Sequence, residues 1–450
     1  MTNGPVFGKI IRFSIPLMLT GLLQLFYHAA DMIVVGRFSG SDALAAVGST
    51  SSLTQLIINV FMGLSVGTSV AVAQSLGAKD NKAVSDTVHT SISIGLICGV
   101  FVAIFGFFMS KTFLVAMDTP LDIIEKSTIY MKIHFLGIPA SMLYNFSASI
   151  LRAAGDTKRP LIFLGISGLV NVGLNLVFVI GFSMSVVGVA LGTIISQYLS
   201  VIMVLICLIK SNKSYKLDIK NLKIHKEKLF KIIRIGVPAG LQSSLFSISN
   251  VFIQSSINSF GSSAIAGNTA ASNLESFVYM AMNALQHAAI TFTGQNVGAK
   301  KPERIKKVCA SCTLLTTIVG VVLGGLVYIV FSKPLLRIYI PADEAAVAVG
   351  IIRLGIIGVA HFICGIMEVM VGTLRGMGQS LVPMLVSVIG VCGLRIIWIY
   401  TIFAQWKTLE SLYLSYPVTW ILTALVQFIC VIIIKNRLTK KINKETPVMA

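Results

Sequence analysis

KIIRFSIP, residues 9–16, returns as KIIRIGVP at 231–238. AQSLGAK at 73–79 returns as GQNVGAK at 294–300, and LRAAGDTKRP at 151–160 returns as LRGMGQSLVP at 374–383. The three offsets are 222, 221 and 223 residues, so the pairs stay in register across the chain, as an internal duplication requires. Each pair lies at the equivalent end of an apolar segment, and six such segments fill each copy. Six is even, so both copies enter a membrane from the same side, as parallel repeats.

The segments themselves decide the environment. Of 450 residues, 55 % are apolar and only 12 % are charged, with a mean hydropathy of +0.86. A soluble domain carries about 25 % charged residues, and a membrane-spanning helix needs about 20 apolar ones. Twelve segments qualify, roughly 9–37, 44–75, 86–110, 124–150, 160–182, 186–210, 230–259, 264–296, 308–332, 346–374, 381–404 and 411–434. The predicted fold is all-α and integral to the membrane, with twelve transmembrane helices in two six-helix lobes related by a pseudo-two-fold duplication. Residues 1–210 form the N-lobe, 211–228 a polar linker, and 229–450 the C-lobe with a basic tail. The linker, SNKSYKLDIKNLKIHKEK, reads as a solvated connector. Gly63/Gly67, Gly95/Gly99, Gly188/Gly192 and Gly320/Gly324 are pairs that permit close helix packing.

A net charge of +19 would suit nucleic acid, but its distribution does not. Roughly 27 of the 36 Lys and Arg fall on one side of the twelve-helix layout, which the positive-inside rule makes cytoplasmic. Both termini and the linker are expected there, in a multi-pass protein of the cell membrane that contacts lipid and no nucleic acid. Seven cysteines are scattered; the single pair Cys309/Cys312 has no second pair or His cluster and reads as packing. There is no G-x-x-x-x-G-K-[ST] loop and no H-E-x-x-H. No enzyme activity, no structural metal and no cofactor are expected, and transport would run on an ion gradient.

Ionisable groups inside hydrocarbon are costly and face a cavity or a partner. Three acids lie well inside the segments: Asp31, Glu275 and Glu368. Asp31 shares a helical face with Gln24 and His28. It has no Lys or Arg in its own stripe, so it is expected to titrate or to bind a cation. Other polar stripes can meet it: Gln55 and Asn59; Ser141, Asn145 and Ser149; Ser167, Asn171 and Asn175; Thr193 and Gln197. Any one of these is also ordinary interhelical hydrogen-bond glue. In the second half Glu275 shares a face with Ser272, Tyr279 and Gln286, and Glu368 with His361 and Arg375. Arg395 reads as the one basic residue deep within a span.

YHAADMIVVGR at 27–37, GAKD and GAKK after the second and eighth segments, LRAAGDTKRP and LRGMGQSLVP, and NVGLNLVFVIG at 171–181 together resemble the multidrug and toxic compound extrusion (MATE) family, most closely its bacterial drug-efflux branch, which includes DinF-like members. The resemblance spans essentially the whole chain. It implies two lobes around a central cleft, alternating access, and export of bulky, mainly cationic organic compounds in exchange for H⁺ or Na⁺. It also implies a coupling site at Asp31, Asn171, Asn175 and Thr193. Asn175 departs from relatives with a second aspartate there, which favours H⁺ over Na⁺. The family's C-lobe acid pair is poorly matched, because helix 7 carries no acid. Gln24, His28, Gln55, Asn59, Asn145, Glu275, Tyr279, Gln286 and Glu368 are expected to line the substrate cavity, with Glu275 attracting cations. A monomer is expected. The alternative, a flippase for lipid-linked precursors, calls for several cationic side chains in the cleft.

Overall fold

The long apolar runs fold as the periodicity dictates. The structure, a computed structural model, describes residues 1–117 and 119–445. Twelve long helices run through it: α1 Phe7–Phe38, α2 Ser41–Gly77, α3 Asn81–Ala116, α4 Ile124–Ala153, α5 Lys158–Gly181, α6 Ser185–Ile209, α7 Lys226–Asn258, α8 Ser262–Gly298, α9 Pro302–Tyr339, α10 Glu344–Gly376, α11 Leu381–Phe403 and α12 Leu409–Glu445. Among the described residues, eight are both long and apolar enough to cross a bilayer on their own. Three more, α4, α7 and α8, are equally long but diluted by Ser, Thr, Asn and Gln, and the described part of α2 includes the apolar stretch Phe61–Gly77. Most of α8 is buried against other helices, where such residues find partners. Large apolar side chains such as Leu169 (73 % exposed) and Phe108 (71 %) point outward, which suits a surface bathed in lipid rather than water.

The duplication is written into the backbone. The left-handed residues Gly40, Lys79 and Gly155 (φ 87°, 57° and 89°) recur as Gly261, Lys300 and Gly378 (φ 91°, 53° and 85°). Gly155 and Gly378 each end a helix inside the repeated LRxxG motif, where a Cβ would be strained. Neighbour relations repeat too: α3 packs on α4, α4 on α6 and α5 on α6, while α9 packs on α10, α10 on α12 and α11 on α12. Wide π turns interrupt α5 at Val177–Gly181, α9 at Gly320–Val327, α10 at Leu354–Gly358, and α11 at Val388–Gly393 and Ile399–Phe403. Such turns re-aim the following side chains and concentrate near functional positions.

Two compact units result, and they cut the chain differently from the repeat boundary. One contains Leu19–Leu76 and Asp80–Gly240; the other contains Met1–Met18, Gly77–Lys79 and Leu241–Ala450. The first unit holds α2 against the start of α7. A Cβ on Gly63 would lie 2.2 Å from the Gly240 nitrogen, and one on Gly67 would lie 2.3 Å from the Ile232 carbonyl oxygen. The second unit holds the start of α1, where Phe13 meets Phe292 of α8 edge to face at 5.6 Å.

The linker is not the free connector its composition suggests. Tyr215 and Leu217 are buried with Val84, Val88 and Leu208. His89 donates from Nδ1 to the Ser85 carbonyl (2.7 Å), and its Nε2 accepts from the Asp218 amide (3.1 Å). The Thr90 hydroxyl accepts from the His225 amide at 3.0 Å. Two apolar side chains spaced by two residues thus pin a basic irregular segment onto the beginning of α3.

Candidate functional site

Asp31 sits in the middle of a short chain of polar side chains on three helices. α1 and α5 approach closely because Gly168 leaves room for Tyr27: a Cβ there would lie 1.9 Å from the ring. The Tyr27 hydroxyl donates to the Gly165 carbonyl at 3.1 Å, fixing the two helices side by side. Asn171 and Asn175, one turn apart on α5, then face the same way. Asn175 Nδ2 donates to Asp31 Oδ1 at 2.5 Å and reaches Asn171 Oδ1 at 3.5 Å. Asn171 Nδ2 in turn reaches the Thr193 hydroxyl of α6 at 3.4 Å. Among the described residues no Lys or Arg pairs with this carboxylate. The four residues expected to meet do meet.

One atom of this group is unsatisfied. Asn175 is wholly buried, and its Oδ1 has no hydrogen-bond donor. It rests against Gly192, whose Cβ, if present, would lie only 2.2 Å away. Gly192→Ala should therefore push Asn175 off Asp31. The overpacking should cost ~1–3 kcal/mol of folding stability, read as a lower midpoint of thermal unfolding in detergent. Gly173→Ala, where nothing lies within 4 Å of the added carbon, should be neutral. Equal stability of the two variants would contradict this placement.

The remaining N-lobe candidates are not drawn into the group. Gln24 and His28 are exposed, so it is Tyr27, from the same motif, that turns to α5. Asn145 spends its amide on the Ser141 carbonyl of its own helix (2.8 Å). Asn59 is half-buried, and the side chain of Gln55 lies outside the described residues.

In the second unit the acids are already engaged. Arg353 of α10 grips Glu275 of α8 with two bonds, Nε to Oε1 at 3.1 Å and Nη2 to Oε2 at 2.7 Å. Its Nη1 donates to Asn268 Oδ1 at 2.6 Å, and the Tyr413 hydroxyl reaches the same oxygen at 3.3 Å. Both side chains of the ion pair are only 7 % exposed. Glu275 is therefore not a bare negative charge awaiting a cation. Nor is Arg395 the one buried base: Arg353 is another, missed because it lies near the start of its segment. Arg395 stacks on Tyr416 at 3.9 Å and lies 5.8 Å from the ring of Trp420. Tyr413, Tyr416 and Trp420 form an aromatic stripe at spacings of three and four, a visible signal for such cations. Glu368 accepts from the Gln286 amide, which brings two expected cavity residues together. Tyr279 packs at the edge of the aromatic cluster. Arg375 binds Gln242 Oε1 at 2.9 Å rather than Glu368, and Arg152 donates to the Ser149 hydroxyl at 2.8 Å.

A duplicated bundle with a carboxylate ringed by neutral groups has the architecture of a secondary transporter built from parallel repeats. The MatE family model matches the chain twice, over residues 16–177 and 238–401, once in each copy, and the chain belongs to that family. It is 30 % identical over 430 residues to the probable multidrug resistance protein YoeA of Bacillus subtilis, covering 93 % of this chain and 92 % of that one. It is 26 % identical to the multidrug export protein MepA of Staphylococcus aureus, covering 97 % and 96 %. Among solved structures, an outward-facing multidrug resistance MATE transporter superposes with a TM-score of 0.91 at 22 % identity, over 97 % of each chain. A MATE crystal structure in the bent conformation gives 0.90 at 21 % identity, over 98 % and 97 %.

Proposed function

We propose that this chain is an H⁺-coupled antiporter that exports bulky, mainly cationic organic compounds from the cell, and that Asp31 is its coupling residue. The names carried by YoeA and MepA support multidrug export. The single observation behind the coupling assignment is the Asp31–Asn175 bond, a membrane-embedded carboxylate held by a neutral amide. An unneutralised charge there is costly, and a proton or a monovalent cation removes the cost.

Asn175 gives the two states different wiring. The ionised carboxylate is an acceptor only and takes the amide N–H. The protonated acid has an O–H to donate, and Asn175 Oδ1 is an acceptor with no donor of its own. Turning the amide over lets Oδ1 accept from that O–H. Proton binding thus exchanges one hydrogen-bond pattern between α1 and α5 for another, and a drug that binds one of the two arrangements better drives the other direction. Na⁺ would find Asp31, Asn171, Asn175 and Thr193 oxygens but a single negative charge, which favours the proton.

The test is drug accumulation in everted vesicles under an imposed acid-inside gradient and, separately, a Na⁺ gradient. Accumulation driven by the proton gradient is expected. Accumulation with Na⁺ alone would replace the ion, and none with either would reject antiport. The flippase alternative rests on Arg375 and Arg395, since Glu275 neutralises Arg353.

A further inference from the structure

A concave apolar groove of about 960 Å³ runs along the second unit, between α9 and α12 and floored by α10. Its floor is Ile363, Ile366 and Met370, and Leu425 and Phe428 stand on one wall. The volume is at the upper end of the ~300–1,000 Å³ usual for a built small-molecule site. Its outer walls are membrane-facing: Leu314, Leu425 and Phe428 are each about half exposed, at 53 %, 56 % and 49 %. Such a furrow does not stay empty in a bilayer; it holds an acyl chain or another apolar molecule.

One end of the groove is not apolar. Lys306, one turn into α9, and Lys435, near the end of α12, both line it. Nearby cations have partners: Lys301 donates to Thr2 and Asn3, and Arg304 to the Gly4 carbonyl. Lys306 and Lys435 differ: among the described residues neither ammonium has a hydrogen-bond or acidic partner. Both belong to the basic face that the positive-inside rule assigns to the cytoplasm. An apolar furrow closed at its cytoplasmic mouth by two unpaired ammonium groups is complementary to an anionic amphiphile that lies along a helix bundle.

We infer that this groove is a binding site for one anionic phospholipid of the cytoplasmic leaflet, with its phosphate between Lys306 and Lys435 and an acyl chain along Met370, Leu425 and Phe428. The site is separate from the Asp31 group, so it stands whether or not the proposed transport activity does. Each basic residue near a membrane surface contributes ~1 kcal/mol toward an anionic headgroup. Two together predict a preference for phosphatidylglycerol over phosphatidylcholine of about tenfold or more.

The experiment is native mass spectrometry of the delipidated full-length protein, titrated with phosphatidylglycerol and phosphatidylcholine of identical acyl chains. The wild type should retain one phosphatidylglycerol at concentrations where phosphatidylcholine is lost. Lys306→Gln with Lys435→Gln should bring the two lipids to parity, and Lys306→Arg with Lys435→Arg should restore the preference. Ala310→Trp, which fills the groove, should release the bound lipid of either kind. Lys307→Gln with Lys440→Gln removes the same charge outside the groove and should change nothing. Equal binding of both lipids by the wild type overturns the assignment, leaving an ordinary lipid-facing furrow. So does a control pair as damaging as the groove pair, because the preference would then be diffuse surface charge.

Discussion

Asp31→Asn is expected to reduce gradient-driven drug efflux to the level of membranes without the protein, at unchanged amounts of folded protein. The replacement is isosteric, so the partners keep their places. Asn175 still donates to an oxygen at position 31, and Tyr27 still ties α1 to the Gly165 carbonyl. What disappears is the group that changes charge. An amide is neutral on both sides of the membrane, so a pH gradient has nothing to act on at this position. Downhill exchange of drug need not be lost, because a neutral site mimics one of the two states permanently. Residual transport in the variant should therefore be indifferent to pH, where the wild type responds to it. Drug resistance conferred in cells, drug uptake into everted vesicles and protein level on the same preparations separate these outcomes. Full pH-driven efflux by the variant would end the coupling assignment.

Arg353→Met should destabilise the protein by about 3–5 kcal/mol, the cost of leaving one member of a buried ion pair behind. Glu275 would lose both of its bonds to the guanidinium, and Asn268 would lose a 2.6 Å donor. Little water is available to either, since both partners are almost fully buried. Removing both charges together, with Glu275→Leu and Arg353→Met, should recover much of the loss, because apolar replacements of similar volume often match or exceed a buried pair. The midpoint of thermal unfolding in detergent, followed by monodisperse protein remaining, gives the ordering wild type, double variant, single variant. A single variant as stable as the wild type would show that the pair contributes nothing and that Glu275 is free for another role.

The two halves of the protein were unequally legible for physical reasons. The fold was carried by signals that survive without knowing any contact: apolar runs longer than a bilayer requires, and motifs repeated at a constant offset. The left-handed turns at Gly155 and Gly378 are the conformational reason one of those motifs had to be repeated so faithfully. The Asp31 group was also within reach, because spacings of four put Asn171 and Asn175 on one face, and polar atoms in hydrocarbon seek each other. Its orphan acceptor on Asn175 was not, since it depends on how closely Gly192 lets α6 approach.

The Glu275–Arg353 pair lay beyond sequence reasoning for a different cause. Seventy-eight residues separate the partners. Helical periodicity tells which residues share a face of one helix, but not which face of α8 meets which face of α10. Glu275 was therefore read with its own-helix neighbours Ser272 and Tyr279, and its charge looked uncompensated. The linker misled by composition: its many lysines concealed Tyr215 and Leu217, whose burial against α3 fixes its path. Helical spacing placed Gln24 and His28 on the Asp31 face, whereas the glycine opposite Tyr27 decides which side chain turns to α5.

The coupling claim is tested most directly by counting protons against drug. Purified protein is sealed into liposomes with a trapped pH-sensitive dye, and a cationic drug is added on one side with no pre-existing pH or Na⁺ gradient. The account predicts proton movement opposite to the drug, present in the wild type, unchanged by Na⁺, and absent in Asp31→Asn. Drug entry without any proton signal in the wild type, or the same proton signal in Asp31→Asn, would contradict it.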